Sequence, residues 1–161
     1  MMGRELRGMR HAAGCRFAIV VSRFNEEITA GLLQGARQVL EEAEVSDDDT
    51  TLIYVPGAFE LPMAALRAAE TGQFDAVICI GCLIKGDTMH FEYIAAAASQ
   101  GIMEAAQVTG IPVAFGLLTT LTEEQAVARS GDNADNKGRE AALAAVEMAT
   151  LFRELEERVG E

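Results

Sequence analysis

Four short apolar runs, each followed by a segment of helical periodicity, constrain this chain more than any other feature. The runs are residues 16–21 (RFAIVV), 51–55 (TLIYV), 75–80 (DAVICI) and 111–118 (IPVAFGLL). They are near-continuously apolar rather than alternating, which is the pattern of strands buried on both faces and hence of a parallel sheet. Between them, Ile28, Leu32, Leu33, Ala36, Val39 and Leu40 mark a helix over 26–43. Leu61, Ala64, Ala65 and Ala68 mark a second helix, and an Ala-rich stretch over about 90–108 marks a third. Thr122 and Gln125 have the spacing of a capping box and open a short helix. A last helix is expected over about 137–157, with Leu143, Val146, Ala149 and Phe152 on one face.

Strand–helix repetition with right-handed crossovers leads to a three-layer α/β/α sandwich around a four-stranded parallel sheet, flavodoxin-like in class. At 161 residues the chain suits one domain, here expected over 15–161 behind an N-terminal arm at 1–14. Half the residues are hydrophobic, while Trp is absent and aromatics make up 6%. The core must therefore be built from Ala, Val, Ile, Leu and Met, which suits helices lying close on a sheet. The net charge of −12 disfavours nucleic acid and anionic membranes as partners. The arm is the exception: Arg4, Arg7, Arg10 and His11 face only Glu5, and without residues 1–14 the body carries −14. Such an arm can pair with a neighbouring subunit or remain an unordered terminus. No signal-peptide pattern and no apolar run of bilayer length is read along the chain, and three cysteines suit reduced thiols, so a cytoplasmic protein is expected.

In open parallel sheets, ligands bind outside the carboxyl ends of the strands. The unusual residues collect there: Ser22-Arg23-Phe24-Asn25 after the first strand, Pro56 to Glu60 after the second, Gly81 to His90 after the third, and Phe115 with Thr119-Thr120 on the fourth. Segment 81–88 reads G-x-x-x-x-G-D-T, with Asp87 where a nucleotide loop needs Lys, so a triphosphate is disfavoured. Read as a loop before a helix, it can offer backbone N–H groups and the Thr88 hydroxyl to a single phosphate, or be a Gly-rich turn with Thr88 as a cap. His90 follows that segment at a helix start, a setting that disfavours an imidazolium and suits a proton acceptor. Cys79 and Cys82 form C-x-x-C, but one thiol lies in an apolar strand and no second ligand pair exists, so packing is expected of them. Glu60 can hydrogen-bond a polyol or serve a helix N-terminus. Arg129, Lys137 and Arg139 flank S-G-D-N-A-D-N-K-G, and Arg129 and Lys137 matter for binding only if the fold brings them to the phosphate.

Strings V-S-R-F-N at 21–25, V-P-G-A-F-E-L-P at 55–62, G-C-L-I-K-G-D-T-M-H-F-E-Y at 81–93, P-V-A-F-G-L-L-T at 112–119, E-Q-A at 124–126, R-S-G at 129–131 and N-K-G at 136–138 occur in this order. Together they resemble the lumazine synthases, over nearly everything from 16 to 152. The resemblance implies that Phe24 stacks on a pyrimidine ring and that Ala58, Phe59 and Glu60 hold a ribityl chain. It implies that Leu83, Ile84 and Lys85 line the ring, and that Gly86, Asp87 and Thr88 form the phosphate loop with Arg129 pairing the phosphate. It makes His90 the acid/base, places Lys137 near the site, and has Phe115 supplied by an adjacent subunit. The implied reaction condenses a ribitylaminouracil with a four-carbon hydroxyketone phosphate and calls for no metal or organic cofactor. A ligand-storing oligomer and an archaeal-type riboflavin synthase are the rival readings; the intact His90, Arg129 and V-P-G-A-F-E-L-P favour the lumazine-forming enzyme. Members of the family assemble as pentamers, some packed by twelves into an icosahedral shell. Shell-forming members read G-T-K-x-G-N-K-G before the last helix, whereas this chain has Asn133 and Asp135 in that segment, so a pentamer is expected and the shell is left open.

Overall fold

A computed structural model describes residues 3–159. Strands β1 (Phe17–Ser22), β2 (Thr50–Val55), β3 (Ala76–Ile84) and β4 (Val113–Thr120) alternate with helices α1 (Glu26–Glu42), α2 (Leu61–Glu70), α3 (His90–Thr109), α4 (Glu123–Ala128) and α5 (Lys137–Val159). All pairings are parallel and the strand order is β2-β1-β3-β4. The three-layer α/β/α sandwich read from the sequence is therefore the fold of the chain. This order is that of flavodoxin-like sheets, in which the chain reverses its direction of travel across the sheet between β1 and β3.

Side chains alternate along each strand and feed two cores. Phe17, Ile19 and Val21 with Ala76, Ile78, Ile80 and Cys82 face α1 and α5. Ala18 and Val20 with Val77, Cys79 and Leu83 face α2 and α3. Burial on both faces is why these strands are continuous apolar runs.

One expectation needs correction. Residues 81–84 are strand and not loop, because β3 continues to Ile84 by pairing with β4 as far as Ile84↔Thr120. Gly81 makes that extension fit: a Cβ there would lie 2.9 Å from Leu61 Cδ1 and 3.0 Å from Leu117 Cδ1. The loop before α3 is thus only residues 85–89. Acidic segment 46–50 lies at the surface and is ordered. Ser46 Oγ accepts from Asp48 N at 3.3 Å and opens a 3-10 turn at Asp47–Asp49, and Thr50 already belongs to β2.

The described part of the arm lies against its own chain. Met9 N donates to Thr150 Oγ1 at 2.7 Å, His11 Nδ1 lies 2.9 Å from Glu44, Ala12 N donates to Ala43 O, and Ala12 is buried.

Small residues set the distance between α1 and α5. Ala141, Ala142, Ala145 and Ala149 are buried along α5, and a Cβ on Gly138 would run into the Leu32 carbonyl of α1. Helix propensity alone would make Gly138→Ala stabilising by about 1 kcal/mol. The backbone contact reverses the sign: chemical denaturation of Gly138→Ala is expected to give a lower midpoint than the unmodified protein, with helix α5 pushed off α1.

Candidate active site

The site is assembled where β1, β2 and β3 end. β1 stops at Ser22, whose buried hydroxyl accepts from Phe24 N at 3.2 Å, while Arg23 N donates to Val55 O at 2.9 Å. These two bonds turn the chain so that Phe24 projects outward, 59% exposed. Asn25 follows in a left-handed conformation (φ 58°, ψ 53°) and begins α1. After β2, a 3-10 turn at Ala58–Glu60 leads into α2, with Ala58 buried and Phe59 56% exposed. Pro62 at the head of α2 stops nothing, because the first-turn N–H groups of a helix have no intrahelical acceptor.

These pieces enclose one cleft of about 450 Å³, lined by Phe24, Ala58, Phe59, Glu60, Leu83, Ile84, Gly86, Thr88 and His90, together with Gly57, Phe91 and Ile94. Its composition is two-sided. Phe24, Phe59, Leu83, Ile84, Phe91 and Ile94 offer apolar walls suited to a flat ring. Glu60, Thr88 and His90 bring polar groups to the same space. His90 is the first residue of α3, as its position in the sequence implied, and its backbone N–H donates to Thr88 Oγ1 at 3.4 Å. Thr88 therefore faces the helix start without formally capping it, since Met89 occupies the cap position.

Five residues singled out in the sequence do not line this cleft. Asp87 is exposed on the loop beside it. Lys85 is fixed through its backbone, N to Thr120 O at 2.9 Å, and its ammonium lies 3.4 Å from Glu92 Oε1 in α3. The other Glu92 oxygen, Oε2, is buried without a partner. Phe115, Arg129 and Lys137 line a second cleft of about 600 Å³, with Thr119, Asp135 and Glu140 also on its walls.

That second cleft is built with equal care. Asn136 is buried; its Nδ2 donates to Gly31 O at 3.0 Å and to Gly131 O at 2.8 Å, and its Oδ1 accepts from Arg139 N at 3.1 Å. The side chain thus ties the 129–137 segment to α1 and caps the first turn of α5. Lys137 N donates to Arg129 O at 2.9 Å, which sets the two residues side by side on the wall of one cleft. Lys137 Nζ pairs with Glu140 at 3.1 Å, and Arg129 Nη1 donates to Gln125 O at 3.0 Å. Asp135 is not forced into a left-handed conformation where a Gly would be at ease: among the described residues only Asn25 and Glu44 have positive φ outside Gly, and Asn133 Oδ1 accepts from Asp135 N at 2.8 Å. Thr122 Oγ1 accepts from Gln125 N at 3.2 Å, the first half of the expected capping box, while Gln125 Oε1 reaches one residue past the cap and accepts from Leu121 N at 2.9 Å; Arg129 stands at the far end of α4.

The charge is divided accordingly. Among the described residues, the first cleft is lined by ring-sized apolar walls and His90 but by no Lys or Arg; the second is lined by Arg129 and Lys137. Sequence reasoning picked residues of both but could not see that one chain keeps them apart. It also passed over Phe91 and Ile94, which stand inside or beside the quoted strings and carry no distinguishing chemistry of their own, and it named Asn25 only as part of a strand end.

Doubly wound α/β enzymes that bind a small ligand at the strand ends are the class these features define. The family model for 6,7-dimethyl-8-ribityllumazine synthase matches residues 14–153. The chain is similar to the 6,7-dimethyl-8-ribityllumazine synthase of Salinibacter ruber, at 50% identity over 155 residues covering 96% of this chain and 99% of that protein. Its similarity to the 6,7-dimethyl-8-ribityllumazine synthase of Chlorobium luteolum is 46% over 155 residues, covering 96% of this chain and all of that protein. The chain belongs to the 6,7-dimethyl-8-ribityllumazine synthase family.

The C-x-x-C cysteines take no part in the cleft. Burial pushes the Cys79 thiol up to about 12 and the Cys82 thiol up to about 11, and it also raises Cys15. The folded chain holds these protons more tightly than the unfolded one. Stability linked to them is therefore complete below the ordinary thiol value of 9.0 and falls as pH rises from there toward 11–12. Near pH 8, thiol titration with an aromatic disulfide reagent should find no rapidly reacting cysteine in the folded protein and three after denaturation.

Proposed function

We propose that this chain condenses 5-amino-6-(D-ribitylamino)uracil with 3,4-dihydroxy-2-butanone 4-phosphate to 6,7-dimethyl-8-ribityllumazine, releasing phosphate and water, the penultimate step of riboflavin synthesis. Family membership across almost the whole chain carries this reading. The first cleft supports it, because positions matching the ring, ribityl and phosphate segments of the family meet there.

Phe24 stacks on the pyrimidine, with Leu83 and Ile84 against the ring and Lys85 at its border. Ala58, Phe59 and Glu60 hold the ribityl chain, whose hydroxyls suit a carboxylate acceptor. Gly86, Asp87 and Thr88 receive the phosphate. The ring's amine attacks the ketone carbon, and loss of water gives an imine. Elimination then breaks the C–O bond to phosphate, and the second amine closes the new ring on the remaining carbonyl with loss of a further water. His90 moves protons in these steps. Holding two substrates in one cleft supplies much of the acceleration.

A phosphate ester leaving as an anion needs a cation, and among the described residues no Lys or Arg lines the first cleft. Arg129, Lys137 and Phe115 of an adjacent subunit complete the site, so that the second cleft of one chain closes the first cleft of the next. Contact between two different surfaces is a heterologous interface, which closes into a ring when the rotation per subunit allows it. A pentamer is the ring proposed here, with the 60-subunit shell as its larger form. α3 supports an interface: its exposed face carries Tyr93, Ala96, Ala97, Gln100, Met103, Gln107 and Val108, with Glu104 the one charge among them. On a body of such acidity, that face is unusually apolar. We place the protein in the cytoplasm; among the described residues no helix is long and apolar enough to cross a membrane.

Incubation with both substrates should give lumazine fluorescence and one phosphate per turnover; substrates left unchanged would refute the reading. His90→Ala should lower kcat by about 100-fold, the low end for lost acid–base catalysis, with substrate affinity nearly intact. Arg129→Ala should leave almost no turnover. Light scattering should give a mass of five chains or a multiple of five, and a monomer would contradict the shared site.

A further inference from the structure

We propose that Asn25 is a positioning residue that sets the width of the ring slot between Phe24 and Leu83; the proposal rests on reading the first cleft as the pyrimidine site. Asn at the start of a helix ordinarily turns its side chain to the helix's own N–H groups. Asn25 occupies that position on α1, yet its side chain makes no capping bond. Its Nδ2 instead donates to Cys82 O, 2.9 Å away on β3.

The sheet explains why this bond is available. Pairing of β1 with β3 ends at Val21↔Ile80, while β3 continues to Ile84 against β4 alone. Beyond Ile80, the side of β3 that faced β1 has lost its partner strand. The Asn25 amide enters that space and joins the two diverging chains at their last common point. Phe24 is one residue from the amide, and Leu83 is one residue from the carbonyl that receives it. The bond therefore bridges the two walls of the slot immediately behind the residues that form them.

The backbone agrees. A non-Gly residue at φ 58° is uncommon, and Asn is among the few types that tolerate it. Its placement meets two demands, a left-handed turn and an amide donor at that turn. Gly meets the first alone, and Asp meets the first while presenting a carboxylate to the Cys82 carbonyl.

These substitutions provide the test, read as separate KM values for the two substrates alongside thermal unfolding. Asn25→Gly is expected to unfold within a few degrees of the unmodified protein. Its KM for the ribitylaminouracil should rise about tenfold, the loss expected for one bond of this kind, with KM for the hydroxyketone phosphate unchanged. Asn25→Asp should raise the same constant further. Product lumazine, titrated by fluorescence, should bind the variants more weakly in the same order. An unchanged ring KM in Asn25→Gly overturns the proposal. So does a loss in which both KM values, kcat and the unfolding temperature worsen together in both variants, which is the signature of a purely structural residue. Absence of turnover in the unmodified protein would instead defeat the functional reading itself.

Discussion

The pairing of β1 with β3 is the constraint on which the molecule depends. Both strands are buried on both faces, Phe17 to Val21 against Ala76 to Ile80, and they stand at the middle of the sheet. The chain leaves β1 toward β2 on one side and reaches β3 on the other. The two connections therefore part at the carboxyl end, and parting chains leave a crevice. The residues proposed for the ring and ribityl chain lie around it: Phe24 on the β1 side, Ala58 to Glu60 one strand outward, and Leu83 to His90 on the β3 side. Loss of that central pairing would take away the core and the site together.

Much of this was legible in the sequence because parallel strands and their covering helices obey different periodicities. Continuous apolar runs located β1 to β4, and the recurrence of Ile28, Leu32, Ala36 and Val39 located α1. The end of β3 was misread for a physical reason. Gly81 and the following G-x-x-x-x-G pattern look like a turn, but the Gly is there to let Leu61 and Leu117 close over the strand. The arm was ambiguous because its basic charge says nothing about where it docks; a bond from Met9 to Thr150 spans 141 positions and leaves no local trace. Asn25 was invisible as a positioning group because an Asn at a helix start already has a sufficient explanation.

Site residues were legible as chemistry and less so as geometry. His90 stands at the start of α3 and Thr88 beside it, as expected. Arg129 and Lys137 are brought together by Asn136, a buried amide that the sequence presented as part of a loop. What the linear order hid is that this cationic cleft and the ring cleft belong to different parts of one surface. On the proposed reading, a phosphate-eliminating site with its Lys and Arg groups elsewhere is half a site, and the largely apolar face of α3, with Glu104 its one charge, is where another chain would bring the other half.

The most direct measurement of that claim uses two inactive proteins. His90→Ala removes the imidazole proposed to move protons in the first cleft, and Arg129→Ala removes one of the two cations of the second. Each alone should be nearly inactive, but the two co-expressed in equal amounts should form mixed oligomers in which some interfaces join an intact His90 to an intact Arg129. The account predicts recovery to about a quarter of the unmodified specific activity, the share of such interfaces on random mixing. Co-assembled oligomers that stay as inactive as their parents would place both residues in one chain's site and contradict it.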